Sequence, residues 1–249
     1  MTARAGSPGF TRSAVPAAGR RTRARTSLAV MAALAASVLL VAGLGACGAP
    51  SDPGEALLTA AGHGDVHGVR DALSRGASLD GATDRNQSTA LTRAAYQNRV
   101  EVAQLLVESG ADVNRKDSSE QSPYLIATSE VGDDPRLLDL FLAHGADVSA
   151  TDSYNGTGAI RAAHRGYPVI VGRLIAAGVD VDHVNRLGWT ALLEAVILGN
   201  GGEAHQAVVA RLLAAGADRS LRDPQGRTAL EIARERGHDA MVALLEPPG

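Results

Sequence analysis

Few side chains in this sequence have both the type and the spacing to do chemistry. His63 and His67 stand four apart, a spacing that can hold zinc on one helix face. They flank Gly64-Asp65, where the helical pattern breaks, and no third ligand is near, so they are expected to be solvent-exposed. Asp133-Asp134 offers two carboxylates without the further oxygens at fixed spacing that a calcium loop needs. Beside Pro135, which suits the first turn of a helix, the pair fits the positive end of a helix dipole. Gly43-x-Gly45-x-x-Gly48 spells the dinucleotide-binding glycine pattern, which has meaning only between a strand and a helix. Asp112, Asp147, Asp180 and Asp218 recur once per repeating unit and cannot converge into an acid–base pair. No G-x-S-x-G elbow, P-loop or H-E-x-x-H is present. No enzyme activity, cofactor or metal is expected.

Cys47 is the sole cysteine, so a disulfide within the chain is not its purpose. Met1 to Ser27 carries six arginines (Arg4, Arg12, Arg20, Arg21, Arg23 and Arg25) and no acidic residue, and an apolar run follows from Leu28 to Ala46. A basic segment, an apolar segment and small residues make an export signal. Leu44-Gly45-Ala46-Cys47 resembles the bacterial lipobox, which implies cleavage before a cysteine that then carries lipid. The glycine pattern straddles that cleavage point and is set aside. Arg20-Arg21 lacks the apolar residues expected after a twin-arginine pair. An uncleaved membrane anchor, for which the run is long enough, and an ordinary signal peptide are the alternatives. The expected organisation is 1–46 as a removed lipoprotein signal peptide, 47–54 as the lipidated cysteine and a Gly/Pro-rich tether, and 55–249 as the folded domain. The expected location is the extracytoplasmic face of a bacterial membrane. If there are two membranes, Gly48 lacks the aspartate that marks inner-membrane retention, which favours the outer one. The formal charge of −3 falls to about −9 once six arginines are removed, a poor basis for binding nucleic acid.

The elements that position the remaining residues are legible from Thr89 to Asn114. Leu91, Ala94 and Ala95 mark one short helix, and Val102, Leu105, Leu106 and Val107 an apolar stripe on a second. Gly110 ends the second helix as only glycine can without steric penalty. Such a unit cannot bury its apolar face alone, and copies of it follow. Thr89-Ala90-Leu91 is echoed at Ser122-Pro123-Tyr124, Thr157-Gly158-Ala159, Thr190-Ala191-Leu192 and Thr228-Ala229-Leu230. The endings keep step at Gly76, Gly110, Gly145, Gly178 and Gly216, and a degenerate first copy begins near Glu55. These units resemble the ankyrin repeat, a β-turn plus an antiparallel helix pair with a T-P-L-H-x-A core. The resemblance covers roughly Glu55 to Glu246 and implies an all-α repeat solenoid: about six ankyrin repeats stacked in a curved array, with polar caps at both ends.

Repeat three carries extra residues near 128–135, and repeat five a glycine-rich stretch, Leu198 to His205, expected to be a mobile surface loop. The resemblance implies that turn tips and inner helices line a concave groove that binds a protein. By position the lining includes Arg85, Arg93, Tyr96, Gln97, Arg115, Lys116, Tyr154, Arg161, His164, Arg186, Trp189, Glu194 and Arg222. Trp189 also suits a structural role, covering the neighbouring turn. The set is basic for an acidic chain and rich in interface-anchor types, so an acidic protein partner is expected, with the chain itself a monomer. The function expected is a lipid-anchored interaction scaffold. The alternatives are an inhibitor or immunity-type protein for an exported enzyme, and an envelope factor that binds wall polymer.

Overall fold

The computed structural model describes residues 52–81 and 83–247. The expected export signal, the lipobox-like stretch and Cys47 lie outside the described residues.

Twelve helices follow one another among the described residues, in six consecutive pairs. They are α1 (Pro53–His63) with α2 (Val66–Ser74), α3 (Ala90–Tyr96) with α4 (Val100–Glu108), α5 (Pro123–Ser129) with α6 (Arg136–Ala143), α7 (Gly158–Arg165) with α8 (Pro168–Ala176), α9 (Ala191–Ile197) with α10 (Glu203–Ala214), and α11 (Ala229–Glu235) with α12 (Asp239–Leu245). The odd-numbered inner helices pack in series on one another, and the outer helices do the same. Most inner helices have only seven or eight residues, too short to persist alone in water. Their stability comes from burial against both neighbours: Leu91, Ala94, Ala95, Leu125, Ile126, Ala162, Ala163, Val196 and Ala233 are inaccessible to solvent. Alanine at these positions lets successive inner helices approach closely, while Leu106, Leu137, Phe141, Leu174 and Leu212 fill the space beneath the outer ones.

Local signals set each boundary. The hydroxyls of Thr89, Ser122, Thr190 and Thr228 accept a backbone N–H three residues on, at 3.2, 3.2, 3.3 and 3.2 Å, and Thr228 forms a full capping box with Glu231. At the other end Gly110 adopts φ +99°. There Ala111 N–H donates to Leu106 at 3.0 Å and Gly110 N–H to Val107 at 2.9 Å, the Schellman pattern. The Asp52-Pro53 pair starts α1 two residues before the pattern suggests. Asp52 Oδ2 accepts from Glu55 N–H at 3.1 Å and proline occupies the first helical turn, which shortens the expected tether.

Both insertions are docked. In repeat three Asp134 accepts from Arg136 N–H at 3.1 Å at the start of its own helix. Asp133 reaches the next repeat instead, accepting from Val169 and Ile170 N–H at 3.0 and 2.9 Å and so capping α8. In repeat five the expected mobile loop is short. Its last residues, Glu203 to His205, are an added turn that makes α10 twelve residues long. The glycines give room for two histidines: a Cβ on Gly166 or Gly199 would meet the His205 ring at 2.8 or 2.7 Å, and one on Gly201 the His238 ring at 2.8 Å. His205 Nε2 then donates to the His164 carbonyl at 3.1 Å.

Candidate binding groove

Between repeats the chain makes a hairpin-like finger, and a single side chain organises each one. Asp84 Oδ1 accepts from the N–H groups of Asn86 and Ser88 at 2.8 and 3.0 Å. Asp117, Asp152 and Asp223 do the same at equivalent positions, and Asn185 does it with a neutral amide oxygen. Three residues after each stands a left-handed residue at the tip: Gln87, Glu120 and Asn155 at φ near +59°, then Gly188 at +77° and Gly226 at +79°. Backbone bonds tie neighbouring fingers, Ser118 N–H to the Asn86 carbonyl at 2.9 Å and Arg186 N–H to that of Tyr154 at 2.8 Å. Burial favours the neutral form of Asp84, but bonds from Ser88, Asn86 and Arg93 outweigh it and hold the carboxyl below its ordinary range. Asp223 is held down likewise, burial being overcome by Arg227 and its backbone donors.

The residues singled out from sequence fall into separate neighbourhoods along the face made by the fingers and inner helices. Arg93, Tyr96 and Gln97 line one depression with His63 and Arg99, and Arg85 and Arg93 another beside α1. Tyr154, Arg161, His164 and Glu194 share a pocket between repeats three and five. Arg115, Lys116, Arg186, Trp189 and Arg222 line none of these three. His63 and His67 are exposed, and no group of three metal-ligating side chains occurs among the described residues.

Much of the basic character counted along the sequence is neutralised in place. Arg93 pairs with Asp84 at 3.1 Å, Lys116 with Glu120 at 3.0 Å and Arg222 with Glu231 at 3.2 Å. Arg161 is 12 % exposed and turned inward, bonded to Asp152 at 2.8 Å and to Ser129 Oγ at 2.7 Å, with Glu130 at 3.4 Å. Trp189 is half-buried on the core, and its backbone N–H closes its own finger on Asn185 Oδ1 at 3.0 Å. Among the described residues Arg85, Arg115 and Arg186 are exposed with no carboxylate within 4.0 Å; Arg186 instead donates to the Ser153 carbonyl at 2.6 Å.

The pocket at α7 and α9 has a volume of about 310 Å³. Glu194 lies in it, 5 % exposed, with Oε1 accepting from His164 Nδ1 at 3.1 Å. Burial pushes the Glu194 carboxyl above its ordinary range, and Asp152 adds to this while His164 and Asn185 oppose it. Tyr154, Leu187 and Leu198 supply exposed apolar walls. Tyr96, on the next inner helix but one, has its phenol raised by burial and by the charges of Asp117 and Glu130, with Arg161 opposing.

The ankyrin repeat profile matches three stretches, residues 28–117, 125–218 and 159–248. The chain belongs to the ankyrin repeat family. It is 37 % identical over 193 residues to the ankyrin repeat protein YahD of Escherichia coli K12, covering 77 % of this chain and 94 % of that one. Among solved structures it is similar to an ankyrin repeat domain from Acinetobacter baumannii AYE, with a TM-score of 0.71 and 46 % identity over 76 % of this chain and 95 % of that one. A second, the ankyrin repeat protein EF0377, gives a TM-score of 0.70 and 34 % identity, covering 76 % and 96 %.

The sequence reading missed the finger set Asp84, Asp117, Asp152, Asn185 and Asp223. A signal existed: each stands five residues before the Thr or Ser that caps an inner helix of the ankyrin unit. The four aspartates it did note serve the other turn, where Asp112, Asp147, Asp180 and Asp218 accept a backbone N–H two residues on at 2.8 to 3.0 Å. Glu130, Leu187 and Leu198 had no such marker, since only stacking brings them to one pocket.

Proposed function

We propose that this ankyrin array is a protein-binding scaffold, not an enzyme, and that it engages its client on the finger-and-inner-helix face. One observation carries the reading. Of six large apolar side chains exposed among the described residues, Tyr96, Tyr154, Leu187 and Leu198 line depressions on that one face. Soluble chains rarely gather apolar exposure without a partner to cover it, and tyrosine is a common interface anchor. The unpaired fingertip cations Arg85, Arg115 and Arg186 favour acidic groups on the client opposite them. We also propose that the chain acts as a monomer. In this reading residues 1–46 are removed on export and Cys47 carries lipid, holding the array at the extracytoplasmic face of a bacterial membrane through the tether.

The test is capture of a client from solubilised envelope by the full chain, beside a variant with Tyr96, Tyr154 and Arg186 changed to alanine. A protein retained by the first and lost by the second is expected. Equal retention by both refutes the assignment of this face, and retention of wall polymer alone would replace the client with that polymer. Loss of catalytic activity in a captured enzyme would define the scaffold as an inhibitor. For the anchor, radiolabelled palmitate is expected to enter the wild-type chain and not Cys47→Ser; an unlabelled chain that keeps residues 1–46 would refute it.

A further inference from the structure

The pocket between α7 and α9 is rich in charge, yet its charged groups answer one another. Arg161 is held by Asp152 at 2.8 Å and Ser129 at 2.7 Å, and Arg165 lies 3.4 Å from both oxygens of Glu130. His164 Nδ1 meets Glu194 Oε1 at 3.1 Å, and Asn185 also bonds the Glu194 side chain. Asp152 Oδ1 and Asn185 Oδ1 accept the N–H groups of their own fingers. Two polar atoms are left over, Arg161 Nε and Glu194 Oε2, and both are buried beyond the reach of an occupant. What remains unanswered in the walls is apolar: Tyr154, 62 % exposed, and Leu187 and Leu198, each 44 % exposed. Tyr154 and Leu187 stand on neighbouring fingers, tied by the Arg186 N–H on the Tyr154 carbonyl, while Leu198 caps the far end of α9. The seven residues of α9 set these walls about 10 Å apart along the helix. A flat aromatic ring, which buries about 150–250 Å², covers more of that span than an aliphatic side chain does. Beside the pocket stands a charge that is not answered. Arg186, the residue before Leu187, is fixed by the Ser153 carbonyl at 2.6 Å and pairs with no carboxylate among the described residues. A chain that fills the pocket therefore meets that guanidinium best with a carboxylate next to the ring.

We propose that this pocket receives an aromatic side chain of the client, seated on Tyr154, Leu187 and Leu198, with a carboxylate of an adjoining client residue on Arg186. The inference rests on the reading of this face as a protein-binding surface and specifies the client's contact segment: an aromatic residue flanked by acidic ones. The probe is the peptide Nα-acetyl-Asp-Phe-Asp amide, titrated into the isotopically labelled full chain in detergent while the backbone amide signals of Ile160, Leu187 and Leu198 are followed. Saturable shifts are expected on the order of millimolar. Leucine in place of the peptide's phenylalanine should bind about two- to tenfold more weakly. Asparagine in place of both its aspartates should cost about two- to fivefold, a difference that disappears in Arg186→Gln. Tyr154→Ala and Leu198→Ala, changes at exposed walls, should each weaken the probe while leaving the remaining spectrum in place. Leucine binding as tightly as phenylalanine, undiminished binding by both wall variants, or no saturable shift in the wild type would each overturn the proposal. An aspartate preference that persists in Arg186→Gln would overturn the acidic contact. A client captured by a chain that ignores the probe would refute the pocket alone. Probe binding without any client would uphold the pocket and count against the scaffold.

Discussion

Arg161 ties its helix to two other segments of chain: Asp152 in the finger before it, and the adjacent Ser129 and Glu130 at the end of the preceding inner helix. Both partners in its shortest ion pair are nearly buried, at 12 and 11 % exposure. Removing one member of such a pair strands the other charge, which costs about 3–5 kcal/mol. Arg161→Met is therefore expected to lower the urea midpoint by an amount corresponding to about 3 kcal/mol, with Arg161→Lys losing less. A loss under about 0.5 kcal/mol, the usual range for a surface substitution, would show that the bridge is incidental. Sequence alone assigned this arginine to a solvated groove, because its type and repeat position suit an interface. What turns it inward is a carboxylate from its own finger and a serine from the previous repeat, and neither is visible until the units are stacked. Glu194 differs for the same reason: its burial comes from its neighbours rather than from its helix.

Fingers and helix pairs differ in how openly the sequence announces them. The Thr and Ser caps, the alanine faces and the glycine stops lie within a few residues of what they control, so helix boundaries were legible to within two residues at Pro53. The finger aspartates are equally local, each five residues before a helix cap, but they lack the glycine two residues earlier that marks Asp112, Asp147, Asp180 and Asp218. Their chemistry gives a pH prediction. Asp223 has a depressed carboxyl pKa, so its ion pair with Arg227 stabilises the fold above the unfolded-state value near 4, and that contribution disappears as pH falls through the lower folded value. Asp223→Asn keeps the side-chain oxygen that organises the finger, as Asn185 shows, and loses the charge together with the second oxygen that accepts from Arg227. Thermal melts are expected to place the variant below wild type at pH 7 and to converge with it below about pH 4; a gap of constant size across that range would contradict the assignment. The repeat-five insertion was misjudged because glycine suggests mobility, whereas here glycine makes room. A Cβ on Gly199 would strike the Ala195 carbonyl and the His205 ring. Gly199→Ala should thus destabilise by about 1–3 kcal/mol, the range for overpacking, read by denaturant titration; a neutral result would mean that the loop is free.

At the scale of the whole array, each internal inner helix is stabilised by the one before and the one after, so stability is shared among neighbours. The stack also decides the site. Depressions form where inner helices and fingers of different repeats meet, and Tyr96, Tyr154, Leu187 and Leu198 are exposed along that face. Repeat number and order could be counted from the sequence; which charges cancel across repeats could not, because ion pairs such as Arg161–Glu130 and Arg165–Glu130 join residues more than thirty positions apart. The central claim, that a protein client docks on the finger-and-inner-helix face, is tested most directly by photo-crosslinking in living cells. A photo-reactive amino acid is placed at position 154, at the pocket rim, or at position 169, where Val169 is exposed on an outer helix. A discrete protein adduct from position 154 and none from position 169 is the predicted result. Adducts from position 169 alone, or none from 154, would contradict it.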